Sequence, residues 1–171
     1  FEKELRERIL GVTAHATVVD SGGKLVEWRS LVKQLEGRYD IVGVAPFIRA
    51  EGMLTHRGAV HGSHVRGVLP EFESKVSLVG EKMLDGGGLE ALEVGEWNVI
   101  LGNELAAALN ARVGDKITIV APQPSTSPAG IVPRLKRFTV SGIFKIGMHE
   151  YDSALALIHL EEAARLFKLG D

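Results

Sequence analysis

His56, His61 and His64 lie within nine residues, close to Glu51, so the first chemistry the chain offers is metal ligation. A zinc site needs donors that converge to about 2.0–2.2 Å from one ion. On a strand, side chains alternate between faces, and the odd spacing of His61 and His64 points them to opposite sides. That spacing favours solvent-facing histidines over a metal site. Cysteine is absent, which removes thiol nucleophiles, thiolate zinc and disulfides. No nucleophile elbow or dinucleotide fingerprint occurs, and Gly86-Gly87-Gly88 lacks the Lys-Ser/Thr that would follow it in a phosphate loop. Asp and Glu are scattered among Lys and Arg, the pattern of a solvated surface, and Asp115 after Gly114 is a turn former. The chain is read as non-catalytic, with no metal and no cofactor.

The segment 122–133 is of another kind. It holds Pro122, Pro124, Pro128 and Pro133 among Gln, Ser, Thr, Ala and Gly, a composition that resists both helix and ladder. It is flanked by two predicted strands, 116–120 and 135–144. Hairpin loops usually run about 2–5 residues, and loops of about twelve tend to be functional or disordered. Prolines restrict the free arm and so lower the cost of ordering it on a partner. At its tip Pro128, Ala129, Gly130, Ile131 and Val132 set apolar side chains beside a glycine able to take positive φ. A stiff apolar protrusion suits insertion into a partner's groove. Arg134, Lys136 and Arg137 follow directly as a basic root, with Arg134 and Lys136 on one face of the strand and Arg137 on the other.

Around this arm the pattern is α+β. Residues 15–19 read as a β-branched strand, and Leu25, Trp28, Leu31, Val32 and Leu35 as one helical face ended by Gly37. Residues 41–54 are extended with a bend at Pro46, and 59–68 form another strand. Pro70 then opens a helical stretch over 71–76, and Gly86-Gly87-Gly88 is a joint between elements. Residues 97–102 form a strand, followed by a short helix from Asn103 with Leu105, Ala108 and Leu109 as its apolar face. Residues 116–120 alternate as a half-buried strand, 154–158 are a buried one, and 160–169 a final helix.

The 171 residues can bury about 70% of their unfolded surface. With 45% hydrophobic and 25% charged residues, the chain has an ordinary globular composition. A net charge of -2 gives no bulk attraction to nucleic acid. No run approaches the roughly 20 apolar residues that span a bilayer.

Ile100-Leu101-Gly102-Asn103-Glu104-Leu105-Ala106 with Val113-Gly114-Asp115-Lys116-Ile117 resembles the signature of the periplasmic core domain in MacB-type ABC permeases. The opening residues 1–11, Val44-Ala45-Pro46 and Arg66-Gly67-Val68-Leu69-Pro70 resemble the lipoprotein-releasing branch, LolC and LolE. The resemblance implies a helix over 1–11 continuing from a transmembrane segment. Residues 12–56 would then be the first half of a strand–helix–strand lobe, its second half expected beyond Asp171, and 57–171 a strand-rich lobe. In that family, 122–133 matches a LolC-type hook that captures the periplasmic lipoprotein chaperone LolA. Beside the hook lies a polar pad, to which Lys136 conforms while Thr118 and Leu135 depart. The resemblance further implies lipoproteins as cargo, LolE-like permease and LolD-like ATPase subunits, and the periplasmic side of the bacterial inner membrane. The competing reading is a MacB-like efflux or cell-division permease domain that binds another periplasmic adaptor.

Overall fold

The computed structural model describes residues 16–19, 25, 27–127 and 130–168, with 123–132 through the backbone alone. The first regular element among the described residues is helix α1 (Trp28–Glu36), which ends at Gly37 as the spacing predicts. Of its apolar face only Val32 is buried, while Trp28 packs edge-on against Phe72. Ala16–Val19 lie exposed and outside any strand. A β-branched run is a strand only where a neighbour satisfies its backbone, and no described strand pairs with this one.

Seven strands follow. β1 (Phe47–His56) starts right after Pro46, and β2 (Ala59–Val68) returns antiparallel to it with His56 opposite Ala59. The two intervening residues, Arg57 and Gly58, both have positive φ (47° and 88°), the handedness that lets a two-residue turn follow the strand twist. β3 (Met83–Gly86) and β4 (Asn98–Gly102) come next, then β5 (Lys116–Ser127), β6 (Gly130–Phe144) and β7 (Leu155–His159). Hydrogen bonding runs β3-β6-β4-β7-β2-β1-β5, and β5 also pairs with β6. The sheet therefore closes on itself through β6, with β3 as an appended edge. β2–β7 and β4–β6 are parallel, the other neighbours antiparallel. β1, expected with the first lobe, is hydrogen-bonded into this ring between β2 and β5.

Alternation fills the interior. Leu54, Val65, Val99, Leu101, Ile117, Ile119, Phe138 and Ile158 point inward and are fully buried, each contributing about 1.5–3 kcal/mol of apolar burial. Helix α3 (Asn103–Ala108) adds Leu105 and Ala106 to this core, and α5 (Leu160–Phe167), which follows the single turn α4 (His149–Asp152), adds Ala163, Leu166 and Phe167. The short helix thus buries Ala106 where the sequence suggested Ala108, which is exposed. One face of a single helical turn holds neighbours three and four apart, and Leu105 with Leu109 already fixes it.

The outward residues of β2, β7, β4 and the end of β6 make a second cluster. Val68, Leu155, Leu157, Ile100 and Phe144 lie under Val79, Leu89, Leu92 and Ile146. This covering segment opens with the single-turn helix α2 (Pro70–Glu73), shorter than the expected helical stretch over 71–76. It then crosses two 3-10 turns, Val79–Lys82 and Leu89–Ala91. Gly86, expected in a joint, ends β3 with φ 79° opposite Gly142. A Cβ on Gly142 would collide with the Gly87 carbonyl, so these glycines permit backbone contact.

Packing of α5 on the ring depends on Gly67. A Cβ there would lie 2.5 Å from the Ala163 Cβ and 3.2 Å from the Leu160 Cα. Gly67→Ala is expected to cost about 1–3 kcal/mol in thermal or urea unfolding. Gly62→Ala on the same strand, with nothing within 4 Å of the new methyl, is expected to cost nothing measurable. Equal melting temperatures for the two variants would contradict this packing.

Candidate partner-binding site

The arm is a continuation of the ladder that closes the ring. β5 pairs with β1 only over Thr118–Val120, whereas its pairing with β6 runs on to Ser127 opposite Gly130. Beyond Val120 the two strands have only each other, and the six steps from Ala121 to Ser127, at about 3.3 Å each, carry β5 about 20 Å outward. The prolines therefore do not prevent a ladder, contrary to the sequence expectation. Between the pairs Ala121↔Arg134 and Ser125↔Val132 the register shifts, setting Pro122, Gln123 and Pro124 against Pro133 alone. Three residues that cannot donate a backbone N–H are thus gathered where the ladder is already broken. Pro122 and Pro133 are exposed there. Gly130, Ile131 and Val132 lie opposite Ser127, Thr126 and Ser125, and Pro128 and Ala129 fall outside the described residues.

The basic root divides as alternation predicts. Arg134 and Lys136 are half-buried and face inward beside Ala121 and Ile119, while Leu135 and Arg137 face outward and are exposed. Both inward cations have partners within the domain. Arg134 Nη2 donates to the Arg165 carbonyl of α5 at 2.9 Å, and Lys136 Nζ sits 4.1 Å above the Trp97 ring. Trp97 packs edge-on against Phe138 and holds φ 53°.

That strained backbone has a support that sequence reading missed. Glu162, fully buried on α5, accepts the N–H groups of Trp97 at 2.9 Å and Gly95 at 3.1 Å through one carboxyl oxygen. Its other oxygen has no partner among the described residues. In sequence Glu162 is one acid in a charged helix start, and nothing distinguishes it from Glu161.

The outward face of the arm's root is unexpected in composition. Met53, Val120 and Leu135 stand abreast on β1, β5 and β6 through the pairs Met53↔Val120 and Val120↔Leu135. Met53 and Leu135 are 50% and 56% exposed. The signal was present in the alternation of β5, but it acquires meaning only when three strands are aligned.

The histidines do not converge. His56 is buried and its Nδ1 donates to the Leu109 carbonyl at 2.9 Å, with Nε2 3.8 Å from Asp115. His61 Nδ1 donates to the Gly62 carbonyl at 2.8 Å. His64 stands opposite Glu51 across the β1–β2 ladder, its Nδ1 3.9 Å from the Glu51 Oε1.

The fold is that of solved extracytoplasmic domains of ABC-type permeases. The extracellular domain of the noncanonic ABC-type transporter YknZ from Gram-positive bacteria superposes with a TM-score of 0.52 at 12% identity. It covers 78% of this chain and 63% of that one. A domain of a permease protein from Porphyromonas gingivalis gives 0.50 at 12% identity over 77% and 57%. The sequence places the chain with the lipoprotein-releasing permeases of the LolC/LolE family. It is 41% identical over 169 residues to LolC of Neisseria meningitidis serogroup B, covering 99% of this chain and 40% of that protein. LolC of Xylella fastidiosa is 38% identical over 170 residues, with the same coverage. LolE of Haemophilus influenzae is 28% identical over 167 residues, covering 95% and 39%. No protein-family model matches the chain. The chain spans about 40% of the length of the LolC relatives it matches. Those relatives are named transmembrane proteins; among the described residues here no helix is long and apolar enough to cross a membrane.

Burial pushes the Glu162 carboxyl above the ordinary carboxylate range, against the pull of the Trp97 and Gly95 N–H groups. The protonated form is the one the fold favours. Its contribution is complete below the ordinary carboxylate pKa and is lost as pH rises through the raised value. Glu162→Gln keeps the acceptor and removes the titration. Between about pH 4 and about pH 8 the variant should gain on the wild type in thermal melts. A gap that opens toward acid instead would show that the charged form is the stabilised one.

Proposed function

We propose that this chain is the periplasmic domain of a lipoprotein-releasing ABC permease, and that its β5–β6 arm recruits the soluble lipoprotein chaperone LolA. The observation that carries the proposal is the arm itself, two strands that leave the ring for about 20 Å with their prolines set in the register break. Such an arm is pre-ordered, so little conformational entropy is lost when a partner closes on its tip. Pro128, Ala129, Gly130, Ile131 and Val132 supply the apolar tip, and the prolines at 122, 124 and 133 set its angle on the ring. Lipoproteins are the cargo passed on. ATP hydrolysis belongs to a LolD-like subunit on the other side of the membrane, and a LolE-like permease completes the transporter. The domain itself performs no chemistry.

Ile131→Glu and Pro128→Glu place a carboxylate where an apolar groove would receive the tip. Each is expected to weaken binding of the chaperone by at least about a hundredfold, as truncating an interface anchor does. Melting temperatures are expected to hold, which a thermal melt checks. Isothermal calorimetry gives the answer directly. Unchanged affinity in both variants removes the arm from the interface. Intact binding of a different periplasmic adaptor after deletion of residues 123–132 would favour an efflux or cell-division permease instead.

A further inference from the structure

The glycine run Gly86-Gly87-Gly88 follows Asp85, which makes Asp85-Gly86 the one Asp–Gly pair in the chain. The pair ends the edge strand β3, at the opposite end of β6 from the arm. Its backbone is held on one side only. Gly87 donates its N–H to the Ser141 carbonyl of β6 at 2.8 Å, and along a ladder neighbouring residues turn their N–H groups to opposite sides. The Gly86 N–H therefore faces the open edge, where no further strand lies among the described residues. There it donates to Oδ1 of its own neighbour, Asp85, at 2.9 Å.

Nothing ties the carboxyl down. Asp85 is exposed and has no ion pair among the described residues. The register of β3 against β6 shifts between Met83 and Asp85, which leaves Leu84 as an extra residue, 60% exposed. Backbone at such a bulge is not fixed by the ladder on both flanks. Gly86 has φ 79°, and a Cβ there would collide with the Ser141 carbonyl. The close approach of β3 to β6 thus demands glycine directly after Asp85. Glycine is also the residue that shields its own nitrogen least. A packing requirement and a chemical weakness fall on one position.

We infer that Asp85-Gly86 is a site of spontaneous backbone rearrangement, converting Asp85 to a β-linked aspartate. The Gly86 nitrogen attacks Cγ of the Asp85 carboxyl in its acid form. An N–C bond forms there, and the carboxyl hydroxyl leaves with the amide proton as water. The product is a five-membered cyclic imide. Water then opens the ring at one of its two carbonyls. Opening at Cγ restores aspartate, whereas opening at the former main-chain carbonyl leaves the chain running through Cγ. The water lost in the first step is regained in the second, so no other reactant is consumed. The hydrogen bond already holds the nitrogen against the carboxyl, the proximity that ring closure needs. The β-linked form carries one more backbone atom, which takes Gly86 and Gly87 out of register with Gly142 and Ser141. β3 then keeps β6 through Met83↔Phe144, and the freed edge of β6 is open to pairing with other chains.

The test is ageing of the protein in warm, mildly acidic buffer, native and unfolded in guanidinium, followed by digestion. Electron-transfer fragmentation locates a β-linked residue, and an isoaspartyl methyltransferase with a labelled methyl donor measures its amount. The native chain is expected to accumulate β-linked Asp85 faster than the unfolded one, by about twofold or more. Asp85→Glu, whose imide would need a six-membered ring, is expected to accumulate none at this position. In the aged fraction the Gly87 N–H should exchange with solvent faster than in fresh protein. A native rate no higher than the rate in guanidinium would mean that the fold protects the pair, and the proposal would fall. Equal labelling of wild type and Asp85→Glu would place the reactive residue elsewhere, with the same result. Where wild-type conversion is too slow to read, Asp85→Asn passes through the same imide with ammonia leaving in place of water. For that variant too, faster conversion in the native chain supports the proposal and an equal or slower one overturns it.

Discussion

The pairing of β5 with β6 is the interaction on which the rest of the structure depends. Its inner section, from Lys116↔Thr139 to Ala121↔Arg134, closes the ring and buries Ile117, Ile119 and Phe138. Its outer section, from Ser125↔Val132 to Ser127↔Gly130, is the arm. One ladder thus does both, and the arm's direction is set by the core. The break between the two sections, where Pro122, Gln123 and Pro124 face Pro133, is the one place where that direction can change. A bulge adds twist and bends the longer strand, while proline limits how far the bend can wander.

Ring closure also decides which polar groups must be buried. Loops that tuck against a closed sheet bring backbone N–H groups out of water, and each then needs an acceptor. Two of the three buried acids among the described residues answer that need. Asp152 accepts from Ile146 and Gly147, both at 2.8 Å, and Glu162 holds Gly95 and Trp97. Glu73 instead lies 3.7 Å from Arg66, whose guanidinium also covers the Phe47 ring at 4.5 Å. Burial raises the Glu73 carboxyl, partly offset by Arg66. The residues that look most like catalytic carboxylates by burial therefore brace loops, and the exposed face at the arm's foot is where charge remains unmatched.

The division of labour in the basic root follows from the same geometry. Arg134 and Lys136 lie on the inner side, where the Arg165 carbonyl and the Trp97 ring take them up. Leu135 and Arg137, one position off, look outward. Thr118 and Leu135 sit on that outward face with Val120 and Met53, giving this chain an apolar band bordered by Arg137, Lys116 and Arg57.

Local signals sufficed for much of this. Alternation located the inner part of β5, valines among His and Gly marked β2, an unbroken apolar run marked β7, Gly37 marked the end of α1, and a run of prolines between two strands marked the arm. Those are short-range effects, set by side-chain period and backbone restriction, and they need no knowledge of neighbours. The sequence could not tell that the proline segment would remain a ladder, because proline is excluded only from positions that must donate, and which positions donate depends on register. Nor could Ala16–Val19 be recognised as lacking a partner among the described strands, since β-branching favours a pleat without supplying a neighbour. The role of Glu162, a residue 65 positions from the N–H of Trp97 that it receives, and the row of Met53, Val120 and Leu135 were decided by tertiary structure alone. Ring closure sets distant strands at a few ångströms, and only at that range do hydrogen bonds and exposed apolar surface become specific.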